Sequence, residues 1–395
     1  DGLTASAVDQ VYKNLTFTGG FDGAGHSIKN IQYSGATSFG WWSRILGTEL
    51  TGAGENNFEN RRGIIKDLTL VADKIDVSTL AANSYNGLFA QRNYGWIIDC
   101  KVDGSTIGDR DETVYTPVIQ GTVNNTNIFV GGFVGVNDRY ANAPEDEGIY
   151  ENFEGAVGRI DGCTNMLDLV IQSTNDLNYI TYVGGIAGLN SSGNIIGSNN
   201  GVANMDTSYN NRAEISGYYT GGIAGASVGN TTMINDDEEV FIYSYISGCV
   251  NYANVSTINE RLGGSSIEAS TAGGIVGMSR ISFVTYCMNL GTVSTEGASA
   301  ALGGIVGTQE TGGYALSCVN IGDVRYNRYY YDPAEIDVSS AMFAGAIVGM
   351  ATTGNIISVW YVQNSVVMYD NKTSTPTRTS VVYGSNGSTY TNSIN

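Results

Sequence analysis

Carboxylates are the most abundant reactive side chains here, 38 Asp and Glu against 19 Lys and Arg. They crowd into two stretches. One carries Asp138, Glu145, Asp146, Glu147, Glu151 and Glu154, and the other Asp236, Asp237, Glu238 and Glu239. Hard divalent cations want several carboxylate oxygens at one point. The set Asp236, Asp237, Glu238, Glu145 and Asp146 is therefore a candidate calcium site. No DxDxDG spacing accompanies it, and a solvated, self-repelling face is the plainer reading.

A second chemistry is offered by tyrosine. Tyr326, Tyr329, Tyr330 and Tyr331 fall within six positions, and Tyr218 and Tyr219 stand with Tyr209 in an earlier segment. Exposed on loops, such rings would stack on sugars or anchor a protein partner. Closing over the body of the protein is the equally consistent structural alternative. Catalytic constellations are scarce. His26 is the only histidine, so a Ser-His-Asp or Cys-His site would have to use it, and its GAGHSI setting reads as a turn. No HExxH occurs, and no lysine follows the glycine pairs as in a phosphate-binding loop. Carboxylate pairs for glycoside hydrolysis survive by count alone. Arg139 and Arg159 flank one acidic stretch, which keeps a polysaccharide lyase in play.

What must position these groups is a repeat. AGGIVG at Ala272 returns as VGGFVG at Val130, VGGIAG at Val183, TGGIAG at Thr220, LGGIVG at Leu302, AGAIVG at Ala344 and, worn, NGLFA at Asn86. The first glycines, Gly87, Gly131, Gly184, Gly221, Gly273, Gly303 and Gly345, lie 30 to 53 residues apart. About fourteen residues after the glycine comes a cysteine slot: Cys100, Cys163, Cys249, Cys287 and Cys318, with Ser198 and Val359 in the other copies. Two residues further stand Asn165, Asn200, Asn251, Asn289 and Asn320. Self-similarity at this period predicts a solenoid. Three short strands per unit without helical periodicity predict a single-stranded parallel β-helix of about nine coils.

That winding carries further expectations. The cysteines stack inside as reduced thiols, since the slot accepts serine and valine. The asparagines form an internal amide ladder at a corner, using their tolerance of left-handed backbone. Val255, Val293, Val324 and Leu169, six residues past their cysteines, stack inside as well. The paired glycines mark a bend or a close approach by another element. From glycine to cysteine slot most copies span 13 to 15 residues, but the copy at Gly131 spans 32 and that at Gly221 spans 28. Both acidic surpluses thus leave from one corner, two rungs apart.

The whole chain reads as one β-helix domain: 1–62 an N-terminal cap and first coils with a short helix at 5–12, 63–361 the repeats, and 362–395 a C-terminal cap. The FGWWSRIL stretch from Phe39 is the earliest degenerate glycine strand. A net charge of −19 disfavours nucleic acid and anionic membranes. No apolar run reaches the roughly 18–20 residues that cross a bilayer. Asp1 in place of methionine reads as a trimmed, mature product.

FTGGFDGAGHSIKNIQY, from Phe17, resembles the FxGxFDGxGHxIxNL opening common in large bacterial surface proteins. The GGIVG and GGIAG copies are similar to the GLUG motif that follows it there, and in the non-catalytic part of immunoglobulin-A-cleaving metallopeptidases. The likeness runs from about Phe17 to Tyr361 and departs at NGLFA and AGAIVG. It implies a right-handed parallel β-helix, exported to the cell surface or secreted, adhesin-like and non-catalytic, with no catalytic residues to carry over. A glycan or a host or cell-surface protein is the implied partner, engaged through insertion loops unless the rod is a stalk. No cofactor is expected beyond the candidate calcium. The competing expectation is a polysaccharide lyase or hydrolase.

Overall fold

Each repeat carries too few apolar residues to bury a face alone, so stacking must supply both the core and the strand partners. In the computed structural model it does. The structure describes residues 15–34, 38–46, 63–76, 80–81, 83–104, 118–119, 126–139, 157–173, 179–203, 215–234, 238–257, 270–295, 300–327, 342–352, 355–363, 365–369, 377–379 and 383–386. One coil shows the plan, with strands Ser270–Gly273, Val276–Arg280, Ser282–Thr285, Met288–Asn289 and Val293–Thr295. Each pairs in parallel with its counterpart one coil on: Gly273 with Gly303, Val276 with Val306, Val284 with Ala315, Asn289 with Asn320 and Val293 with Val324. In chain order these build five sheets of seven, ten, nine, nine and seven strands. The fold is a parallel β-helix. No helix of the described residues is long and apolar enough to cross a membrane.

Five strands per coil replace the three that periodicity predicts. The reason lies at two corners. The glycine strand bends after Gly273, so its halves enter different sheets. The cysteine strand breaks at a residue in the left-handed region just before the slot: Asp99, Gly162, Gly197, Gly248, Tyr286, Ser317 and Ser358, with φ between 50° and 65°. That placement also corrects the expected left-handed asparagine corner. Among the described residues the ladder asparagines have no positive φ; they sit in strands with their side chains buried.

The interior is made of one-residue rows running along the axis. Phe89, Phe133, Ile186, Ile223, Ile275, Ile305 and Ile347 are all fully buried, and Phe89 and Phe133 stack at 5.0 Å. Val255, Val293 and Val324 form another row, with Leu169 buried at its head. All five cysteines are buried and free. Each thiol donates to the carbonyl two residues back, at 3.2 to 3.5 Å. Burial pushes the thiols of Cys163, Cys287 and Cys318 well above their ordinary pKa.

The glycines and asparagines explain one another. Asn165, Asn200, Asn251, Asn289 and Asn320 pass amide hydrogen bonds along the axis at 2.7 to 2.9 Å. The second glycine of each pair faces this ladder: a Cβ on Gly274 would come within 3.0 Å of the Asn289 amide and of the Gly304 carbonyl. Gly132, Gly185, Gly222 and Gly304 repeat the arrangement with Asn165, Asn200, Asn251 and Asn320. Both a bend and a close approach are therefore present.

The stacking reaches beyond the predicted repeat limits. Trp42–Ile45 pairs with Ala90–Asn93, so the tryptophan stretch does occupy the glycine-strand position of an early coil. Val366–Tyr369 and Tyr383–Asn386 add parallel rungs past residue 361, and antiparallel Thr377–Thr379 closes the fifth sheet. The short helix expected at 5–12 lies outside the described residues.

Candidate functional site

A β-helix of this kind offers its outward side chains, and the third sheet presents the most unusual set. Strand alternation buries Ile160, Ile195, Ile246, Val284 and Ala315 and turns their neighbours to solvent. One outward row reads Trp96, Arg159, Asn194, Tyr245, Phe283 and Tyr314, in direct register. Tyr245 stacks on Phe283 at 5.4 Å, and Phe283 on Tyr314 at 4.6 Å, with planes within 14°. Tyr243 leans on this column, 4.6 Å from Phe283, and Phe241 lies 6.1 Å from Tyr243. Loss of water, then the Tyr314 phenol beside it, raises the pKa of the Tyr243 hydroxyl. Phe241 and Tyr245 remain 42% and 43% exposed, which makes the group a solvent-facing aromatic surface rather than core.

The surface is anchored by one of the two insertions. Between Val228 and Ser244 the chain leaves as an antiparallel hairpin, Asn230–Ile234 with Glu238–Ile242, and returns through Tyr243. The other insertion leaves from the equivalent corner, between Asp138 and Val157, where Arg139 and Val157 bridge. Both surpluses do depart from one corner, as the glycine-to-cysteine spacing predicts.

Below the column the row becomes polar. The Arg159 guanidinium binds the Asp161 carboxylate and lies 5.5 Å from the Trp96 ring. Asn194 separates Arg159 from Tyr245, with one rung on either side. Arg159 thus serves an ion pair with Asp161, and residues 140–156 of the acidic insertion lie outside the described residues.

A second aromatic column runs on the first sheet, through Tyr85, Phe129, Tyr182 and Tyr219 at 4.8 to 5.2 Å. Tyr219 is therefore a half-buried strand residue, and Tyr218, 8% exposed, meets it edge-on at 5.1 Å. The structure gives these two a packing role in place of the loop position read from sequence. Near Arg92 sits a carboxyl whose pKa is raised, Asp138. Burial raises the pKa of Asp138, against hydrogen bonds from Ser191 and the Arg139 amide and the charge of Arg92. Arg92 lies 4.0 Å over the Tyr85 ring and donates to the Tyr94 hydroxyl at 3.2 Å.

Of the remaining predicted site residues, Tyr326 is half-buried in the strand Val324–Asn327. Tyr329, Tyr330 and Tyr331 lie outside the described residues, as do Glu145, Asp146, Asp236 and Asp237. Glu238 opens the second hairpin strand. Among the described residues no three His, Cys, Asp or Glu side chains gather as metal ligands. His26 is exposed, its amide bonded to the Gly23 carbonyl in a turn. The Tyr245 column escaped the sequence reading, yet a signal existed: Trp96, Tyr245, Phe283 and Tyr314 each stand four residues before their cysteine. No protein family, curated protein or solved structure matches the chain.

Proposed function

We propose that this chain is a non-catalytic, exported, adhesin-like β-helix, displayed at the cell surface or secreted, that binds a glycan with the outward face of its third sheet. The observation carrying the reading is the cluster of Phe241, Tyr243, Tyr245, Phe283 and Tyr314, five rings kept at the surface where burial would be the ordinary fate of such area. Rings offering one apolar side and a polar edge suit ligands that mix C–H and hydroxyl groups. The likeness of the Phe17 stretch and the glycine repeats to bacterial surface proteins supports the address. The stacked thiols fit a structural role: burial keeps them protonated, and protonated thiols are poor nucleophiles.

The test is a glycan array and a cell-adhesion assay on the wild-type chain and on a Tyr245→Ala/Phe283→Ala/Tyr314→Ala variant. Binding that the variant loses while its far-ultraviolet spectrum stays unchanged is the expected result. A polysaccharide lyase or glycoside hydrolase is the second reading, favoured by the raised Asp138 carboxyl near Arg92. A polysaccharide-degradation screen separates the two. New reducing ends or unsaturated products, lost in Asp138→Asn, would replace the binding proposal with the enzymatic one.

A further inference from the structure

Stacked rings spend their faces on one another. Phe283 has Tyr245 on one side and Tyr314 on the other, so only its edge reaches solvent. A sugar stacks on a ring face, which the middle of the column does not offer. Tyr245, at the end of the column, keeps one face without a ring partner among the described residues, and that face looks down the row toward Asn194.

The space it looks into is a notch with a definite chemistry. Its floor is Asn194, whose side-chain amide makes no hydrogen bond among the described residues, and Ile196 beside it on the same strand. Its far wall is the Arg159–Asp161 ion pair resting on Trp96. Arg159 and Tyr245 stand two rungs apart, about 9.6 Å. A pyranose laid on Tyr245 takes up about 4 Å of that gap. The remainder brings its hydroxyls within hydrogen-bond reach of the Asn194 amide and of the paired guanidinium and carboxylate.

We infer that this notch seats one pyranose unit of a neutral glycan, its C–H face on Tyr245 and its hydroxyls on Asn194 and the Arg159–Asp161 pair. The choice of a neutral sugar rests on charge. Arg159 is already matched by Asp161, and the chain carries a net −19, which repels uronate and sialate polymers. The inference depends on the glycan-binding reading above and narrows it to one seat and one ligand class.

The test uses the full chain on a printed array of neutral hexose oligosaccharides and uronic-acid oligosaccharides, followed by titration calorimetry with the strongest-binding saccharide. Tyr245→Ala is expected to weaken binding by about tenfold or more, and Asn194→Ala by several-fold. Tyr245→Phe keeps the ring face and stays within about threefold, while Trp360→Ala, which removes an exposed ring on the fourth sheet, leaves binding unchanged. Array binding that persists through Tyr245→Ala and Asn194→Ala moves the glycan elsewhere and overturns the notch alone. Preference for uronic acids overturns the ligand class. Absence of any glycan binding overturns both this inference and the reading beneath it.

Discussion

Replacing Asn289 by alanine probes the winding at its most exacting point. The side chain is fully buried and makes three hydrogen bonds. Its amide nitrogen donates to Asn320 Oδ1 at 2.9 Å and to the Gly291 carbonyl at 2.9 Å, and its oxygen accepts from Asn251 at 2.7 Å. In Asn289→Ala the Asn251 amide keeps one N–H on the Ala253 carbonyl, but its other N–H loses the Asn289 oxygen. Two buried acceptors lose their partner: Asn320 Oδ1 and the Gly291 carbonyl. With the Asn251 N–H these make three buried orphans, and at about 1–3 kcal/mol for each the variant is destabilised by about 6 kcal/mol. Asn320→Ala provides the internal comparison. It strands the Gly322 carbonyl and the second N–H of Asn289, whose first stays on Gly291, and costs about 4 kcal/mol. Urea unfolding followed by circular dichroism reads the totals, and native-state hydrogen exchange locates the loss in the coils around Asn289. Equal losses in the two variants, or less than about 1 kcal/mol for Asn289→Ala, would refute a continuous ladder.

Other expectations follow from the same geometry. Gly274→Ala is expected to cost at least about 3 kcal/mol by urea unfolding, and adding Asn289→Ala is not expected to restore it, because the Gly304 carbonyl also occupies the Cβ position. Cys163, Cys287 and Cys318 have folded-state pKa values above the ordinary 9.0, so their contribution is complete below pH 9 and is lost as pH climbs from there toward the raised values. Denaturant midpoints measured across that window should fall at about 1.4 kcal/mol per pH unit for each thiol, or about 4 kcal/mol for the three. Asp138 shifts in the same direction from 3.8: stability falls as pH rises through its raised folded-state value, and Asp138→Asn removes that decline, giving a gain over wild type at pH 7 and none at pH 3 in paired thermal melts.

The parts of this fold that could be read from the chain are those that recur once per coil on the inside. A buried row admits one class of side chain at every rung, so cysteine slot, asparagine and valine repeat in phase, and the phase itself discloses the stacking. Corners do not repeat by residue type. Left-handed backbone is taken by Asp99, Gly162, Tyr286 and Ser317 alike, so no letter marks the break that divides one expected strand into two. A second amide ladder was equally hidden. Asn93, Asn137 and Asn190 bond in series at 2.8 Å, but the row continues as Ser227, Ser279 and Gln309, and three members are too few to show as a period.

The outward positions obey the opposite logic, which bears on where function sits. Gly274 and Asn289 recur together because the amide of one fills the space that a side chain on the other would need, so their constancy reports packing and nothing else. At the surface no neighbour enforces a residue type. The third-sheet row passes from Trp96 through Arg159 and Asn194 to Tyr245, Phe283 and Tyr314, changing character at each end of the proposed seat. Three successive rungs of stacked rings, Tyr245 exposed and Phe283 and Tyr314 half-buried, lie outside a core already closed by the isoleucine and valine row beneath them. Cross-strand stacking contributes some stability, yet none of the interior rules that shape the coil would produce such a column. In a repeat protein whose inside dictates its own sequence, the informative residues are those at which the repeat is free to vary and yet holds a chemical theme.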